Sequence, residues 1–217
     1  MRILAFTDIH GAYRKVEEIL STESSFDVVV IGGDLTTYGT PAEATEAIKG
    51  FQRFGRPVLV VAGNMDPPEL DGTFDKLGVS INARGVVLGN AGFFGVSAAP
   101  FSPLHTPYEI SEDDILVRAE EGWKGVESAR WKVFVPHAPP INTKLDRIPP
   151  GKHVGSTAVR AFIEKHHPHV TVCGHIHEAR GTDSIGKTLI INCGPAGQGY
   201  YGVIELGEHL SVENRGL

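Results

Sequence analysis

Short runs of branched apolar residues recur along the first third of the chain and alternate with segments of helical periodicity. The apolar runs predict three buried strands, at residues 2–7, 27–32 and 57–62. The segments that follow them predict helices, at residues 12–22, 41–53 and 67–77. The second helix has clear boundary signals, because Thr40 can cap it, Pro41 fits its first turn and Gly55 can end it. Repeated strand–helix units predict a parallel sheet with crossover helices.

The rest of the chain is richer in strands. Apolar runs predict strands at residues 86–89, 92–96, 131–136, 169–173, 181–185, 188–192, 200–206 and 209–213, the last four antiparallel. Helical spacing predicts two further helices, at residues 111–122 and 156–166. The segment Ser184–Thr188 predicts a hairpin turn. Residues 136–156 are rich in Pro and Gly and are predicted to form a long functional loop.

Polar side chains with metal-binding capacity follow five of the predicted strands. They occur as Asp8-Ile9-His10, Gly33-Asp34, Gly63-Asn64, His137 and Gly174-His175-Ile176-His177. Residues two apart share a face in an extended segment, so each D-x-H or H-x-H pair can direct two ligands to one side. Any one of these motifs could be a turn or a helix cap. Five together predict a metal site at one edge of a sheet.

The types of ligand restrict the choice of metal. Imidazole, carboxylate and carboxamide together suit borderline divalent ions such as Mn, Fe, Zn or Ni, whereas Ca and Mg want mainly oxygen. Seven ligands are too many for one four-coordinate zinc. Two ions that share Asp34 as a bridge would use all seven.

The order D-x-H, G-D, G-N, H, G-H-x-H resembles the calcineurin-like metallophosphoesterase superfamily. The segments His137–Pro140, Thr143–Arg147, His153–Ser156 and Cys173–Glu178 are similar to its Icc-related branch. The resemblance extends from Asp8 to His177. It implies an α/β fold, a four-layer αββα sandwich of two mixed β-sheets flanked by helices, formed by residues 1–217 as a single domain.

The resemblance also implies a ligand set and a reaction. One ion would be held by Asp8, His10, Asp34 and His177, and the other by Asp34, Asn64, His137 and His175. The implied cofactors are two divalent metal ions, with Mn favoured and Fe, Ni or Zn as alternatives. In such enzymes a hydroxide that bridges the metals attacks phosphorus directly. Asp34, Asn64 and His137 are therefore also assigned catalytic roles.

The chain departs from the superfamily at one position. After Gly-Asn the superfamily commonly has His followed by Asp or Glu, but here the sequence is Met65-Asp66. That histidine is usually assigned to protonating the leaving group, and a thioether cannot do so. Asp66 matches the residue that would orient the histidine and is expected to be an orphan. The departure predicts a preference for leaving groups that depart without a proton, such as aryl groups.

Substrate contacts are harder to assign. Lys144, Arg147, His153 and Ser156 follow His137 and are candidates for binding a phosphate or its leaving group. The alternative is a solvated loop with Ser156 as a helix cap. The shape of the pocket is expected to depend on the loops at 97–112 and 138–156.

Composition excludes some classes of function. The chain has 217 residues, a formal net charge of −6 and two cysteines. The negative charge argues against nucleic-acid binding, the apolar runs are too short to cross a membrane, and reduced cysteines suit a cytoplasmic protein. Homo-oligomerisation is left open.

The leading interpretation is a phosphoesterase acting on a small phosphodiester, or a phosphomonoester, and a nucleotide is one such substrate. A phosphodiester is favoured because residues 33–39 do not match the protein-phosphatase pattern G-D-x-V-D-R-G. The alternatives are a non-catalytic scaffold of the same fold and a nucleotide-binding module.

Overall fold

The computed structural model describes residues 1–23 and 25–217 of the chain. Two large mixed sheets form its centre. The helices of this described part are α1 (Tyr13–Thr22), α2 (Pro41–Gln52), α3 (Glu69–Lys76), α4 (Glu112–Lys124) and α5 (Thr157–His166). No helix within these residues has both the length and the apolar character needed to span a membrane.

The first large sheet has five strands in the order β15-β14-β1-β2-β3. Its strands are β1 (Arg2–Phe6), β2 (Val28–Gly32), β3 (Val58–Val61), β14 (Tyr200–Glu205) and β15 (Ser211–Gly216). The strands β1, β2 and β3 are parallel, with Ile3 opposite Val28 and Val29 opposite Val58. The strand β14 is antiparallel to β1, so the sheet is mixed.

The second large sheet has six strands in the order β12-β13-β11-β8-β5-β4. Its strands are β4 (Val86–Leu88), β5 (Ala91–Val96), β8 (Trp131–Pro136), β11 (Val170–Cys173), β12 (Gly181–Ile185) and β13 (Thr188–Asn192). The four strands β5, β8, β11 and β13 are parallel, and the outer two are antiparallel to their neighbours.

The apolar runs are buried on both faces because the sheets pack against each other and each is covered by helices. One core cluster lies between the sheets and includes Ile3, Val30, Phe93, Val133 and Val172. The opposite faces pack under the helices in a second cluster with Val16, Phe51, Phe74, Ile115 and Phe162. This four-layer arrangement confirms the predicted αββα sandwich.

The predicted helices and long strands are confirmed to within a few residues, but three details differ. The last four predicted strands are divided between the sheets, because β12 and β13 join the second whereas β14 and β15 return to the first. The predicted loop at 136–156 contains a short hairpin of β9 (Arg147–Ile148) and β10 (Lys152–His153). Two further short strands, β6 (Ala99–Pro100) and β7 (Glu109–Ile110), pair with each other.

Helix α5 is joined to α4 by a carboxylate. Ser156 is the N-cap of α5, and its hydroxyl accepts a hydrogen bond from the backbone N–H of Val159. Glu112, the first residue of α4, accepts hydrogen bonds from the Ser156 hydroxyl and from the backbone N–H groups of Thr157 and Ala158. One carboxylate therefore satisfies two of the donors that the start of a helix leaves unpaired.

We expect Glu112→Ala to lower the free energy of unfolding by about 1–3 kcal/mol, because it leaves these donors at the start of α5 without partners. Asp113→Ala removes a charge from the same turn, where Asp113 makes no hydrogen bond or ion pair with a described residue, and is the control. Urea denaturation measures both. Equal losses in the two variants would attribute the effect to charge alone.

Candidate metal centre

The predicted ligands follow strands that end at one edge of the two sheets, and the structure brings all seven together. Asp8, Asp34 and Asn64 follow β1, β2 and β3, whereas His137 and His175 follow β8 and β11. Among the residues that the structure describes, two groups of His, Asp, Glu or Cys side chains have ligand atoms close enough to hold a cation. The groups are Asp8 with His10 and His177, and Asp8 with Asp34 and His137.

Asp34 lies at the centre of the cluster. Its Oδ1 accepts a hydrogen bond from the backbone N–H of Met65 at 2.7 Å. Its Oδ2 lies 3.6 Å from His10 Nε2 and 3.5 Å from His137 Nε2. One oxygen is therefore fixed by the backbone, and the other faces imidazoles from both sides, as a bridging ligand requires.

Asn64 occupies a similar position between two other imidazoles. Its Oδ1 lies 2.9 Å from His137 Nε2 and 2.7 Å from His175 Nδ1. The other ring nitrogen of His137 donates to the carbonyl oxygen of Gly32 at 2.9 Å, which fixes the orientation of the ring. A histidine that binds a metal through one ring nitrogen commonly donates a hydrogen bond from the other to a protein oxygen, and that bond holds the ring in place.

The charges of this cluster fit a cation. Asp8 and Asp34 are both buried, and Asp8 Oδ2 is a buried oxygen with no hydrogen-bond partner among the described residues. Buried carboxylates are costly unless positive charge or hydrogen bonds compensate them. A divalent ion next to Asp8 and Asp34 would supply that charge, so the donor set and the burial both fit metal ions.

The pKa values of two imidazoles reflect the negative charge of the buried carboxylates. Burial opposes the charged form of His137, but the neighbouring Asp34 carboxylate raises the pKa of His137 to about 9. A hydrogen bond to Asp8 likewise raises the pKa of His177. Burial and the charge of His137 lower the pKa of His175 to about 4, so His175 stays neutral and keeps a lone pair for a cation.

Backbone strain is concentrated at these ligands. Asp8, His10, Asp34 and His175 all have positive φ values, between 47° and 67°. Such conformations are uncommon for residues other than glycine and occur often at functional sites. The strain turns each side chain sharply off the end of its strand and toward the common centre.

Three glycines make the close approach of the ligand loops possible. Gly33, Gly63 and Gly174 directly precede candidate ligands, and a Cβ at each would collide with a ligand from another loop. At Gly33 the collision is with the His137 ring, at Gly63 with the Asp34 carboxylate, and at Gly174 with that of Asp8. These glycines therefore provide the space in which side chains from separate strands meet.

Asp66 is not an orphan, which corrects the expectation from sequence. Its buried carboxylate accepts four hydrogen bonds, from the N–H groups of Leu35, Thr36 and Gly63 and from the Thr36 hydroxyl. Burial and the charge of Asp34 raise the pKa of Asp66. Asp66 thus joins the loop that carries Asp34 to the loop that carries Asn64, and this role requires no histidine at position 65.

Comparison with known proteins agrees with this geometry. Residues 1–179 match the calcineurin-like phosphoesterase family. The chain belongs to this family. An uncharacterized protein of Methanocaldococcus jannaschii is 32% identical over 200 residues, which are 90% of this chain and 88% of that protein. A UPF0046 protein of Caenorhabditis elegans is 26% identical over 219 residues, which cover 92% of this chain and 71% of that protein.

Solved structures share the fold of this phosphoesterase. A Thermus thermophilus protein superposes with a TM-score of 0.75 and 16% identity, covering 98% of each chain. A dimetal phosphatase from Danio rerio superposes with a TM-score of 0.68 and 12% identity, covering 100% of this chain and 96% of that one. At these identities the similarity establishes the fold alone.

A cavity of about 420 Å³ opens beside the candidate ligands of this phosphoesterase. Two candidate ligands, Asn64 and His175, are part of its lining. Other lining residues come from the loops predicted to shape the pocket, namely residues 100–106 and the hairpin of β9 and β10. The volume lies within the range of small-molecule sites, so a substrate bound at the cluster would extend into this space.

The predicted substrate contacts stay predictions. None of the four is among the described residues that line this cavity. Lys144 is exposed, and its backbone N–H donates to Asp183. Arg147 and His153 contact each other at 3.3 Å, and the His153 ring is held by Asp146 at 2.6 Å. For Ser156 the alternative interpretation is confirmed, since its buried hydroxyl caps α5.

Two polar residues that carry no sequence motif lie beside the candidate ligands or the cavity, and the sequence did not identify them. Lys152 lines the cavity. It is paired with Ile148 across the hairpin, whereas His153 is paired with Arg147, so the two pairs face opposite sides. The hydroxyl of Thr37 shares a hydrogen bond of 2.9 Å with Nδ1 of His10. The alternation of side chains between the two faces of the hairpin at residues 147–153 could have indicated that Lys152 faces away from His153. No local feature of the sequence identifies Thr37.

We expect Thr37→Val to weaken Mn²⁺ binding by about tenfold, because loss of an outer hydrogen bond to a ligating histidine typically costs about 10–100-fold in affinity. Thr45→Val is the control, since the Thr45 hydroxyl only contacts the Pro41 carbonyl within α2. Isothermal titration calorimetry measures both affinities. Unchanged affinity in Thr37→Val would mean that this contact does not support the ligand.

Proposed function

We propose that this family member hydrolyses a small phosphodiester and depends on two divalent metal ions, with Mn²⁺ favoured. The observation that carries the proposal is the position of one shared oxygen within a cluster of seven candidate ligands. Asp34 Oδ2 lies between His10 and His137, whereas Asn64 Oδ1 lies beside His137 and His175. A carboxylate oxygen between imidazoles on two sides, with this number of ligands, supports a two-ion site better than a single tetrahedral one.

The residues would divide between two ion positions. Asp8, His10, Asp34 and His177 would hold one ion, and Asp34, Asn64, His137 and His175 would hold the other. When bound, the ions would supply positive charge to the phosphate oxygens and lower the pKa of water. Asp8 and Asp34 are buried, whereas Asn64 and His175 line the adjoining cavity, so the phosphate would approach the ions from that cavity.

Hydrolysis then needs one proton for the departing oxygen. Water adds to phosphorus, the ester P–O bond breaks, and the leaving group departs as an anion unless a proton is delivered to it. Met65 cannot donate a proton, and Asp66 is occupied by four hydrogen bonds to the ligand loops. These observations support a preference for leaving groups that are stable as anions, such as aryl groups.

The first test is hydrolysis of bis-p-nitrophenyl phosphate beside p-nitrophenyl phosphate, with Mn²⁺ added. We expect faster turnover of the diester and loss of turnover in Asp34→Asn, because the substitution removes the charge that both ion positions share. Release of p-nitrophenol measures the rates. Absence of turnover with Mn, Ni, Zn or Fe, in protein that still binds metal, would instead favour a non-catalytic scaffold or a nucleotide-binding module.

A second test restores the proton donor. We expect Met65→His to raise the rate selectively on diphenyl phosphate, because its phenolate leaving group is more basic than p-nitrophenolate and gains more from a general acid, which typically contributes about 10²–10⁴-fold. Met65→Leu is the control, since it keeps an apolar side chain of similar size. The ratio of diphenyl to bis-p-nitrophenyl phosphate turnover is measured in each variant. An unchanged ratio in Met65→His would show that protonation does not limit the reaction.

A further inference from the structure

Two large and exposed apolar side chains line the cavity beside the candidate ligands. Phe101 is 72% exposed and Leu104 is 80% exposed, and the same cavity is lined by Asn64 and His175. Single exposed apolar residues are ordinary on protein surfaces. A pair of them on the wall of the space that leads to candidate metal ligands is a different case, because a substrate at the ligands would cover them.

The loop that carries these residues is held in a defined conformation. The carboxylate of Glu109 accepts hydrogen bonds from the backbone N–H and the hydroxyl of both Ser102 and Thr106. These bonds lower the pKa of Glu109 to about 2, although partial burial opposes ionisation. The carboxylate therefore remains charged above that pH, and Phe101 and Leu104 are presented by a fixed loop.

The same loop is attached to a candidate ligand. The backbone N–H of Tyr108 donates to the carbonyl oxygen of Asn64 at 3.1 Å. The Tyr108 hydroxyl donates to Asp71 at 2.6 Å and accepts from Arg118 at 2.8 Å. These hydrogen bonds fix the loop that carries Phe101 and Leu104 relative to the candidate ligand Asn64. Neither exposed side chain takes part in them.

The other residues of the cavity wall determine which kind of group fits. Ile148, Val154 and Ile176 add apolar surface, and the charged side chains in this wall are one cation, Lys152, and one anion, Glu178. Lys152 makes no ion pair with any described residue. Because the two charges offset each other, this wall does not favour a second phosphate. Planar apolar groups suit the walls, since aromatic faces stack on Phe side chains.

We propose that Phe101 and Leu104 form a subsite for an aromatic ester group of the substrate, either a simple aryl group or a nucleobase. The proposal rests on the proposed function, because it assumes that the phosphate lies at the metal ligands. In this subsite Phe101 would stack on the ring and Leu104 would cover its edge. The two residues are specificity-determining, and neither has a role in the chemical step.

The test measures binding, so it does not depend on turnover. Isothermal titration calorimetry of the Mn-loaded protein compares phenylphosphonate with methylphosphonate, which differ only in the aromatic ring. A second pair, adenosine 5′-monophosphate and ribose 5-phosphate, differs only in the nucleobase. We expect the aromatic member of at least one pair to bind about tenfold more tightly, a size typical of stacking on an aromatic side chain. The pair that shows this preference distinguishes an aryl from a nucleoside ester.

The double variant Phe101→Ala/Leu104→Ala locates the effect. We expect it to abolish the preference for the aromatic member while methylphosphonate binds as before. Val117→Ala is the control, because Val117 is an exposed apolar residue on α4, away from the cavity, and should keep the preference. The two exposed loop residues tolerate truncation without leaving a buried cavity, so folding of the double variant is expected.

Three outcomes would overturn the subsite. The first is equal binding of both members of each pair by the wild type, and the second is a preference that persists in the double variant. The third is a wild-type dimer that becomes monomeric in the double variant with unchanged preference, which would assign the loop to self-association. If methylphosphonate and phenylphosphonate both fail to bind, the phosphate site itself is disproved, and the proposed function fails together with the subsite.

Discussion

Burial of two carboxylates where the sheets meet is the constraint on which the centre of this structure depends. Asp8 and Asp34 lie at the ends of neighbouring parallel strands, almost without solvent contact. Their charges are approached by His10, His137 and His177 from other loops. The backbone has positive φ values at several of the candidate ligands. The glycines that precede ligands leave the space in which side chains from separate loops meet. A polar cluster of this cost is retained where a cation compensates the charge.

The Asp66 carboxylate shows how a residue can keep a structural role when its usual partner is replaced. Its four hydrogen bonds hold the loops of Asp34 and Asn64 together, whichever side chain stands at position 65. Met65 itself contributes its backbone N–H to Asp34. The loops that carry the candidate ligands Asp34 and Asn64 are therefore held together with Met at position 65.

The cavity beside the ligands connects that chemistry to the choice of substrate. Its walls come from two loops that are organised by separate buried or shielded carboxylates. Glu109 orders residues 102–106, and Asp146 accepts hydrogen bonds around residues 142–155. Both loops are tied to fixed elements, so the shape of the cavity follows from the fold. A site with missing acid catalysis and an apolar entrance would suit aryl leaving groups on both counts.

The amino-acid sequence was enough to predict the helices and the main strands, because hydrophobic period is a local property of the chain. The motifs D-x-H, G-D, G-N, H and G-H-x-H are also local, since each is contiguous in the chain, and the resemblance that they carry implied the family, the fold and the seven candidate ligands. The tertiary structure alone decided that β14 and β15 return to the first sheet, that Asp66 is fully bonded, and that Lys152, Phe101 and Leu104 share one cavity. These features depend on contacts between residues far apart in sequence, and such contacts leave no periodic or local signal.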